Sequence, residues 1–167
     1  MADQQLILGI DPGLNTTGYG ILDVASGAPT LVEGGVIRSK RNDRLEQRLN
    51  SIHAGLNDVL KSFKLQSVAI EKLYSHYERP TTAIMMGHAR GVLCLAAGQH
   101  QLPIHSYAAT QVKKMLTGNG RAPKAQVQMA ISRVLNLNEI PEPPDVADAL
   151  AIAMCHFYLS RRPASLT

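Results

Sequence analysis

Short apolar runs separated by turn residues dominate the start of the chain. Residues 6–11 form such a run and lead into Asp-Pro-Gly, and residues 18–24 follow closely, which predicts two hairpin-connected strands. Residues 30–37 fit a third strand. Apolar side chains then recur at the spacing of one helical face, at Leu45, Leu49, Ile52, Leu56, Val59, Leu60 and Phe63. This spacing predicts an amphipathic helix over residues 44–63.

The remaining pattern alternates helices with two further strands. Residues 66–71 are a short apolar run that ends in an acid, and residues 103–107 are predicted as the last strand. Helical patterns cover residues 81–99, 109–116, 124–135 and 146–159. The order of elements predicts one α/β domain over residues 1–167, with a mixed central sheet of about five strands flanked by helices and a short disordered tail at the end.

Charge is distributed unevenly along the chain. The 167 residues carry a formal net charge of +4, and no acidic residue occurs between Glu78 and Glu139. That stretch holds Arg79, Arg90, Lys113, Lys114, Arg121, Lys124 and Arg133. These could be scattered solvated charges, but unpaired charges of one sign favour a polyanionic partner. Since aromatic residues make up only 4% of the chain, contact with a nucleic acid is expected to rest mainly on basic groups.

Cysteines and the amino terminus indicate a cytoplasmic protein without membrane segments. Cys94 and Cys155 lie in apolar runs with neither metal nor redox spacing, so both are predicted to be small buried core residues in a reducing compartment. The apolar stretch of residues 6–10 is too short for a signal sequence or a membrane span.

Four acids lie at the ends of predicted strands and at the start of a predicted helix, where their carboxylates could form one site. Asp11 and Glu71 end predicted strands, where ligands of open α/β sheets bind, and Asp145 and Asp148 share one side of a helix's first turn. Each has an ordinary alternative: Asp11 as a turn-former, and the Asp145–Asp148 pair as a helix cap. For Glu71 the alternative is a solvated surface acid, a role for which the end of an apolar strand is a poor place. Together, however, clustered carboxylates repel one another unless a divalent cation such as Mg²⁺ or Mn²⁺ compensates. Such a site suits metal-assisted phosphodiester hydrolysis.

Five segments resemble one family in order and spacing. They read LGIDPGLNTTGYG, VAIEKLY, GHARGVL, YAATQVKKMLTGNGRAPKAQVQ and DVADALAIA, and they span nearly the whole chain. This pattern resembles the RuvC family of crossover junction endodeoxyribonucleases. The resemblance implies a ribonuclease H-like fold in which Asp11, Glu71, Asp145 and Asp148 hold two Mg²⁺ ions, with Mn²⁺ as a possible substitute.

The resemblance also implies a reaction and partners. A homodimer would nick two symmetric strands of a four-way (Holliday) junction DNA, leaving 5′-phosphate and 3′-hydroxyl ends, in homologous recombination and DNA repair. The RuvA and RuvB branch-migration proteins are the partners expected from the family alone.

Basic and aromatic side chains are candidates for contact with DNA. Lys113 and Lys124 match basic positions of the family and flank a Gly-rich loop, with Arg121 in that loop and Lys114 beside it. An ordinary solvated role remains the alternative for each lysine. Tyr74 falls where the family carries a base-stacking aromatic, and Tyr77 could assist, although either ring could instead belong to the core.

Small residues and histidines leave further alternatives open. Gly87, Ala89 and Gly91 would allow close helix approach, with packing inside the chain favoured over a dimer interface. His156, two turns beyond Asp148, is expected to lie away from the site, and His53, His88, His100 and His105 are expected to be ordinary surface or core residues.

Competing functions are a binding module that recognises junctions without cutting, an actin-like or sugar-kinase ATPase, and a nuclease of the same fold that acts on RNA or hybrids. The four intact acids argue against the first, and the lack of room for a second domain argues against the second.

Overall fold

Five strands form one mixed sheet in the computed structural model, which describes residues 3–73 and 78–162. The strands are β1 (Leu6–Asp11), β2 (Thr16–Asp23), β3 (Thr30–Arg38), β4 (Leu65–Glu71) and β5 (Ile104–Tyr107). Their order across the sheet is β3-β2-β1-β4-β5. The β1–β2 and β2–β3 pairs are antiparallel, whereas β4 pairs in parallel with both β1 and β5. The predicted mixed sheet of about five strands is confirmed.

Five helices connect or follow these strands. They are α1 (Leu45–Ser62), α2 (Pro80–Gln99), α3 (Ala109–Thr117), α4 (Lys124–Val134) and α5 (Pro144–Ser160). All five were predicted, and two begin earlier than expected because proline occupies their first turn, where its missing N–H would have no helical partner. The predicted tail comprises the last few residues, and residues 163–167 lie outside the described ranges. No helix in the described ranges is long and apolar enough to cross a membrane.

Alternation along the strands creates a hydrophobic core on each face of the sheet. Ile7 and Leu22 point into a core built from α3, α4 and α5, whereas Leu8 and Ile21 point into a core built with α1 and α2. Helix α5 is apolar all round, and every residue from 149 to 155 is buried, as its sequence predicted. The sheet is therefore covered on both faces, and α5 lies at the centre of one of them.

The cysteine prediction is only half right. Cys155 is fully buried inside α5, but Cys94 lies on α2 and is partly exposed. The reason is the orientation of α2, whose core face is formed by Ala89, Leu93, Ala96 and Ala97. Cys94 sits at the margin of that face and packs against the core without being enclosed by it.

Candidate active site

A pocket of about 250 Å³ opens at the edge of the sheet where β1 and β4 end. Because these neighbouring strands are parallel, their terminal residues Asp11 and Glu71 lie side by side. Asp148 from α5 completes the acidic part of the lining, and Lys113 and Lys124 supply basic groups. Three of the four predicted acids and two of the predicted lysines therefore surround one cavity.

Glycines in the first hairpin allow α5 to approach closely enough to deliver its acids. A Cβ atom on Gly18 would stand 2.1 Å from the carbonyl oxygen of Asp145, and one on Gly9 would stand 2.1 Å from that of Ala149. No other residue type leaves room for the helix backbone at either place. Gly18 is also the partner of Asp11 in the β1–β2 ladder, so the contact brings the start of α5 beside that acid.

Helix capping does not explain the acids of α5. The N-cap residue is Pro143, and no side chain caps the helix, so Asp145 lies within the first turn rather than at its boundary. Asp145 does not line the pocket, although its charge acts on Asp11 through space. Asp11 itself belongs to β1 and is not a residue of the following turn. The ordinary alternatives offered for these acids are therefore wrong.

Burial and like charges hold a proton on Asp11. Its pKa is raised from 3.8 to about 8, first by burial and then by the charges of Glu71, Asp148 and Asp145. The ammonium of Lys124 opposes this rise. At neutral pH the metal-free protein therefore keeps a proton on the Asp11–Glu71 pair, and the two carboxyl groups do not both carry a full negative charge.

Glu71 and Asp148 each have a basic neighbour. Burial and the charge of Asp148 raise the pKa of Glu71, while the charge of Lys113 and a hydrogen bond from Asp11 lower it. The Lys124 ammonium donates to Asp148 Oδ2 at 3.1 Å, and this bond is the main reason that the pKa of Lys124 is raised. The charge balance of the pocket thus relies on one proton and two lysines.

The donor set fits a divalent cation. Carboxylate oxygens are the hard ligands that Mg²⁺ and Mn²⁺ prefer. Among the residues that the structure describes, no three acidic, histidine or cysteine side chains are already grouped as metal ligands. Instead, a proton is held at Asp11 and an ammonium at Asp148, and both are positive charges that a cation would replace.

The other predicted DNA contacts lie around the pocket or outside the described chain. Lys114 and Arg121 are exposed, near the Gly-rich loop that joins α3 to α4, and neither lines the cavity. Gly118 ends α3 in a left-handed conformation with φ of 80°, which turns the chain toward that loop. Tyr74 and Tyr77 lie outside the described residues.

Arg90 on α2 is a site residue that the sequence reasoning missed. Its Nε donates to the backbone carbonyl of Glu71 at 3.1 Å, and its Nη2 donates to the hydroxyl of Ser106 at 2.7 Å. The guanidinium therefore ties α2 to the ends of β4 and β5 next to the acidic pocket. A lone arginine in the mostly apolar helix segment GHARGVL was the signal that could have identified it.

His156 lies away from the acids, as expected, but it is not an ordinary residue. Its Nδ1 is 2.6 Å from the Tyr107 hydroxyl and its Nε2 is 3.1 Å from the Ser67 hydroxyl. The ring also stacks on His105, with centroids 4.4 Å apart. Burial, followed by the charge of His105, lowers the pKa of His156 to about 4. The neutral ring thus links α5 to β4 and β5 beneath the site.

Comparison with known proteins agrees with this geometry. Residues 7–156 match the sequence model of the family described as "Crossover junction endodeoxyribonuclease RuvC". A protein of that name from Rhodopirellula baltica is 54% identical over 157 residues, which cover 94% of this chain and 88% of the relative. Another from Thermotoga maritima is 45% identical over 155 residues, which cover 93% of this chain and 92% of the relative.

A solved structure shares the fold. It is described as Thermus thermophilus RuvC in complex with Holliday junction substrate, and it superposes with a TM-score of 0.84 at 32% identity. The superposition covers 93% of this chain and 95% of that one.

A mixed sheet with acids at its central strand ends, covered by helices on both faces, defines a nuclease of the ribonuclease H-like fold. The chain belongs to the RuvC family of crossover junction endodeoxyribonucleases, which are Holliday junction resolvases. Nucleases of this family depend on divalent metal ions. The predicted fold, family and enzyme class are confirmed.

Proposed function

We propose that this chain resolves Holliday junctions by nicking two symmetric strands, with Asp11, Glu71, Asp145 and Asp148 as its catalytic acids. The observation that carries this proposal is the meeting of Asp11, Glu71 and Asp148 in a pocket that also holds two lysines. The related Thermus thermophilus protein, which binds a Holliday junction, supports the choice of substrate. The products are expected to be 5′-phosphate and 3′-hydroxyl ends suited to ligation, as recombination and DNA repair require.

The four acids are proposed to hold two Mg²⁺ ions, for which Mn²⁺ can substitute. When bound, such ions neutralise a phosphate and lower the pKa of a water molecule. Asp11, which holds a proton, and Asp148, which holds the Lys124 ammonium, would each exchange that positive charge for the ions. Lys124 is half exposed, so its ammonium would then be available for a phosphate oxygen.

The basic residues around the pocket are proposed to bind the DNA backbone. Lys113 lines the cavity, so its ammonium can contact the scissile phosphate region together with Lys124. Lys114 and Arg121 are exposed nearby and are proposed to contact flanking phosphates. Base stacking by Tyr74 or Tyr77 at the opened centre of the junction remains a prediction.

Two coordinated cuts require two active sites, so the working form is proposed to be a homodimer. Residues 1–167 are proposed to form one nuclease domain in each subunit. RuvA and RuvB are the proposed branch-migration partners, on family grounds alone. Activity on chromosomal junctions implies a cytoplasmic location.

A cleavage assay tests the activity directly. A labelled synthetic four-way junction and a linear duplex of the same sequence are incubated with wild type or with Glu71→Gln, with and without Mg²⁺. We expect paired symmetric nicks in the junction alone, dependent on the metal and reduced at least 1,000-fold in Glu71→Gln, because an amide cannot replace the anionic ligand. Junction binding should persist in the variant.

The same assay separates the competing functions. Binding without cutting, in either Mg²⁺ or Mn²⁺, would identify a recognition module instead of a nuclease. Equal cutting of the linear duplex would contradict junction selectivity. Preferential cutting of an RNA–DNA hybrid of the same sequence would favour the related nuclease activity on hybrids.

A further inference from the structure

We infer that the segment joining β3 to α1 forms a second phosphate-binding surface, which holds one duplex arm of the DNA beside the acidic pocket. This β3–α1 surface consists of Arg38, Lys40 and Arg41, all of them exposed. It lies outside the acid-free stretch of residues 79–138, which holds the basic DNA contacts named above. The inference rests on the proposed function, because it takes DNA as the substrate.

Sheet topology brings this surface to the edge that carries the acids. Strands β1 and β3 are both antiparallel to β2, so β3 ends at the same edge as β1. Asp11 pairs with Gly18, and Arg38 pairs with Thr16, which lies two residues from Gly18 on β2. Asp11 and Arg38 are therefore separated by two strand spacings across the sheet and two residues along it. These offsets correspond to about 12 Å between the Cα atoms of Asp11 and Arg38. At that distance, side chains at both places can contact phosphates of the same DNA arm.

Positive charge therefore occurs on both sides of the acids. Lys113 and Lys124 lie on the side of α3 and α4, and the β3–α1 surface lies on the side of β3. Arg38, Lys40 and Arg41 form no ion pair with any residue in the described ranges. A DNA backbone that crosses this edge would place a phosphate at the acids and further phosphates near each basic group.

A buried arginine fixes the surface in place. Arg48 of α1 is 8% exposed, and its Nε donates to the Ser39 hydroxyl at 3.1 Å while its Nη2 donates to the side-chain oxygen of Asn15. The Ser39 N–H also donates to the Asn15 carbonyl oxygen at 3.1 Å. Since Asn15 belongs to the turn that follows Asp11, the basic segment is tied to the active-site hairpin and is not a free loop.

The charge of Arg48 has no acidic counterpart in the described part of the chain. A buried guanidinium is costly without a compensating anion, and here neutral oxygens alone contact it. It therefore adds a fixed positive charge under the surface. Its position four residues before Ile52, on the apolar face of α1, is the sequence signal that marks it as unusual.

Junction binding in EDTA tests the inference, because no cleavage intervenes. The test variant carries Arg38→Gln, Lys40→Gln and Arg41→Gln. Its matched control carries Lys61→Gln, Lys64→Gln and Arg162→Gln, three exposed residues at the ends of α1 and α5, away from the acids. Both variants change the net charge equally, so a difference between them reports position and not total charge.

We expect the test variant to bind at least tenfold more weakly than wild type at 100 mM salt. The slope of log affinity against log salt should fall by about two to three in magnitude. The control should stay within twofold of wild type. Ethylation interference should lose its signal at phosphates on the β3 side of the cut, and equal unfolding midpoints would verify that both variants fold.

Equal losses in the two variants, or none in either, would overturn the inference. If wild type cuts junctions and the test variant binds them as tightly as wild type does, the inference about the β3–α1 surface is wrong while the proposed function stands. If wild type neither binds nor cuts junctions, the proposed function fails, and this inference fails with it.

Discussion

Asp11 makes the metal-free protein less stable as the pH rises. Its pKa is about 8 in the folded protein and near 3.8 when unperturbed, so the folded state retains a proton that the unfolded chain has released. Between these values the folded state binds more protons, and the free energy of unfolding therefore falls with increasing pH. Asp11 therefore lowers the free energy of unfolding at neutral pH unless a cation compensates its charge.

Replacing Asp11 by asparagine should remove this loss of stability at high pH. In EDTA at pH 8, Asp11→Asn is expected to raise the free energy of unfolding by about 1–3 kcal/mol, with the gain shrinking toward pH 4. Urea unfolding at a series of pH values measures it. Asp58→Asn, at an exposed position on α1, is the control and should show no such gain. A variant that is no more stable than wild type at pH 8 would contradict the assigned charge state of Asp11.

Single residues of the site were predictable only where local sequence determines their position. Asp11 and Glu71 could be placed because each ends an apolar run that reads as a strand. The Lys124–Asp148 ion pair and the bond from Arg90 to the Glu71 carbonyl could not be deduced, since each joins residues about 20 positions apart on different elements. Such contacts depend on how the helices pack, which hydrophobic periodicity leaves open.

At the scale of elements, the position of α5 depends on the absence of side chains in the first hairpin. Gly18→Ala would bring a methyl group within 2.1 Å of the Asp145 carbonyl oxygen, and a backbone atom cannot move aside without shifting the helix. We expect a loss of roughly 2–3 kcal/mol in the free energy of unfolding, and weaker cleavage because the acids of α5 move. Thermal unfolding and the junction assay measure the two effects.

Gly98→Ala provides the matched control on another element. Gly98 lies in α2 with no atom within 4 Å of the added methyl group, and alanine favours the helix by about 1 kcal/mol. The control should therefore be as stable as wild type or more so. If Gly18→Ala behaves like Gly98→Ala, close packing of α5 does not determine where its acids lie.

Element types were predicted more securely than their pairing. The apolar spacing indicated all five strands and all five helices, and the observed bounds differ from the predicted ones by two residues at most. Spacing could not show that β1 pairs with β4, because these strands are separated by more than 50 residues. Nor could it show that Ala89 faces the core while Gly91 is exposed, with no neighbour within 4 Å.

At the scale of the whole molecule, α2 presents an apolar stripe opposite its core face. Ile84 is 61% exposed and Leu95 is 56% exposed, and the exposed residues His88 and Gly91 lie between them on the same side of the helix. Two large apolar side chains on one helix face would lose contact with water if a partner covered them, which favours association. Because the proposed paired cleavage needs two subunits, we expect a second copy of the chain to cover this stripe.

Charge on the stripe should therefore separate the subunits. Ile84→Lys with Leu95→Lys is expected to convert a dimer of about 36 kDa, twice the 18.1 kDa chain, into a monomer, because burying two ammonium groups from each subunit at the interface is unfavourable. Sedimentation measures the mass, and a junction in a circular plasmid shows whether the two cuts remain simultaneous. Both substituted residues are exposed, so folding should survive.

Met129→Lys, at a residue 50% exposed on α4, is the control and should remain dimeric and cut both strands. A wild type that sediments as a monomer, or a double variant that stays dimeric, would place the subunit contact elsewhere or remove it altogether.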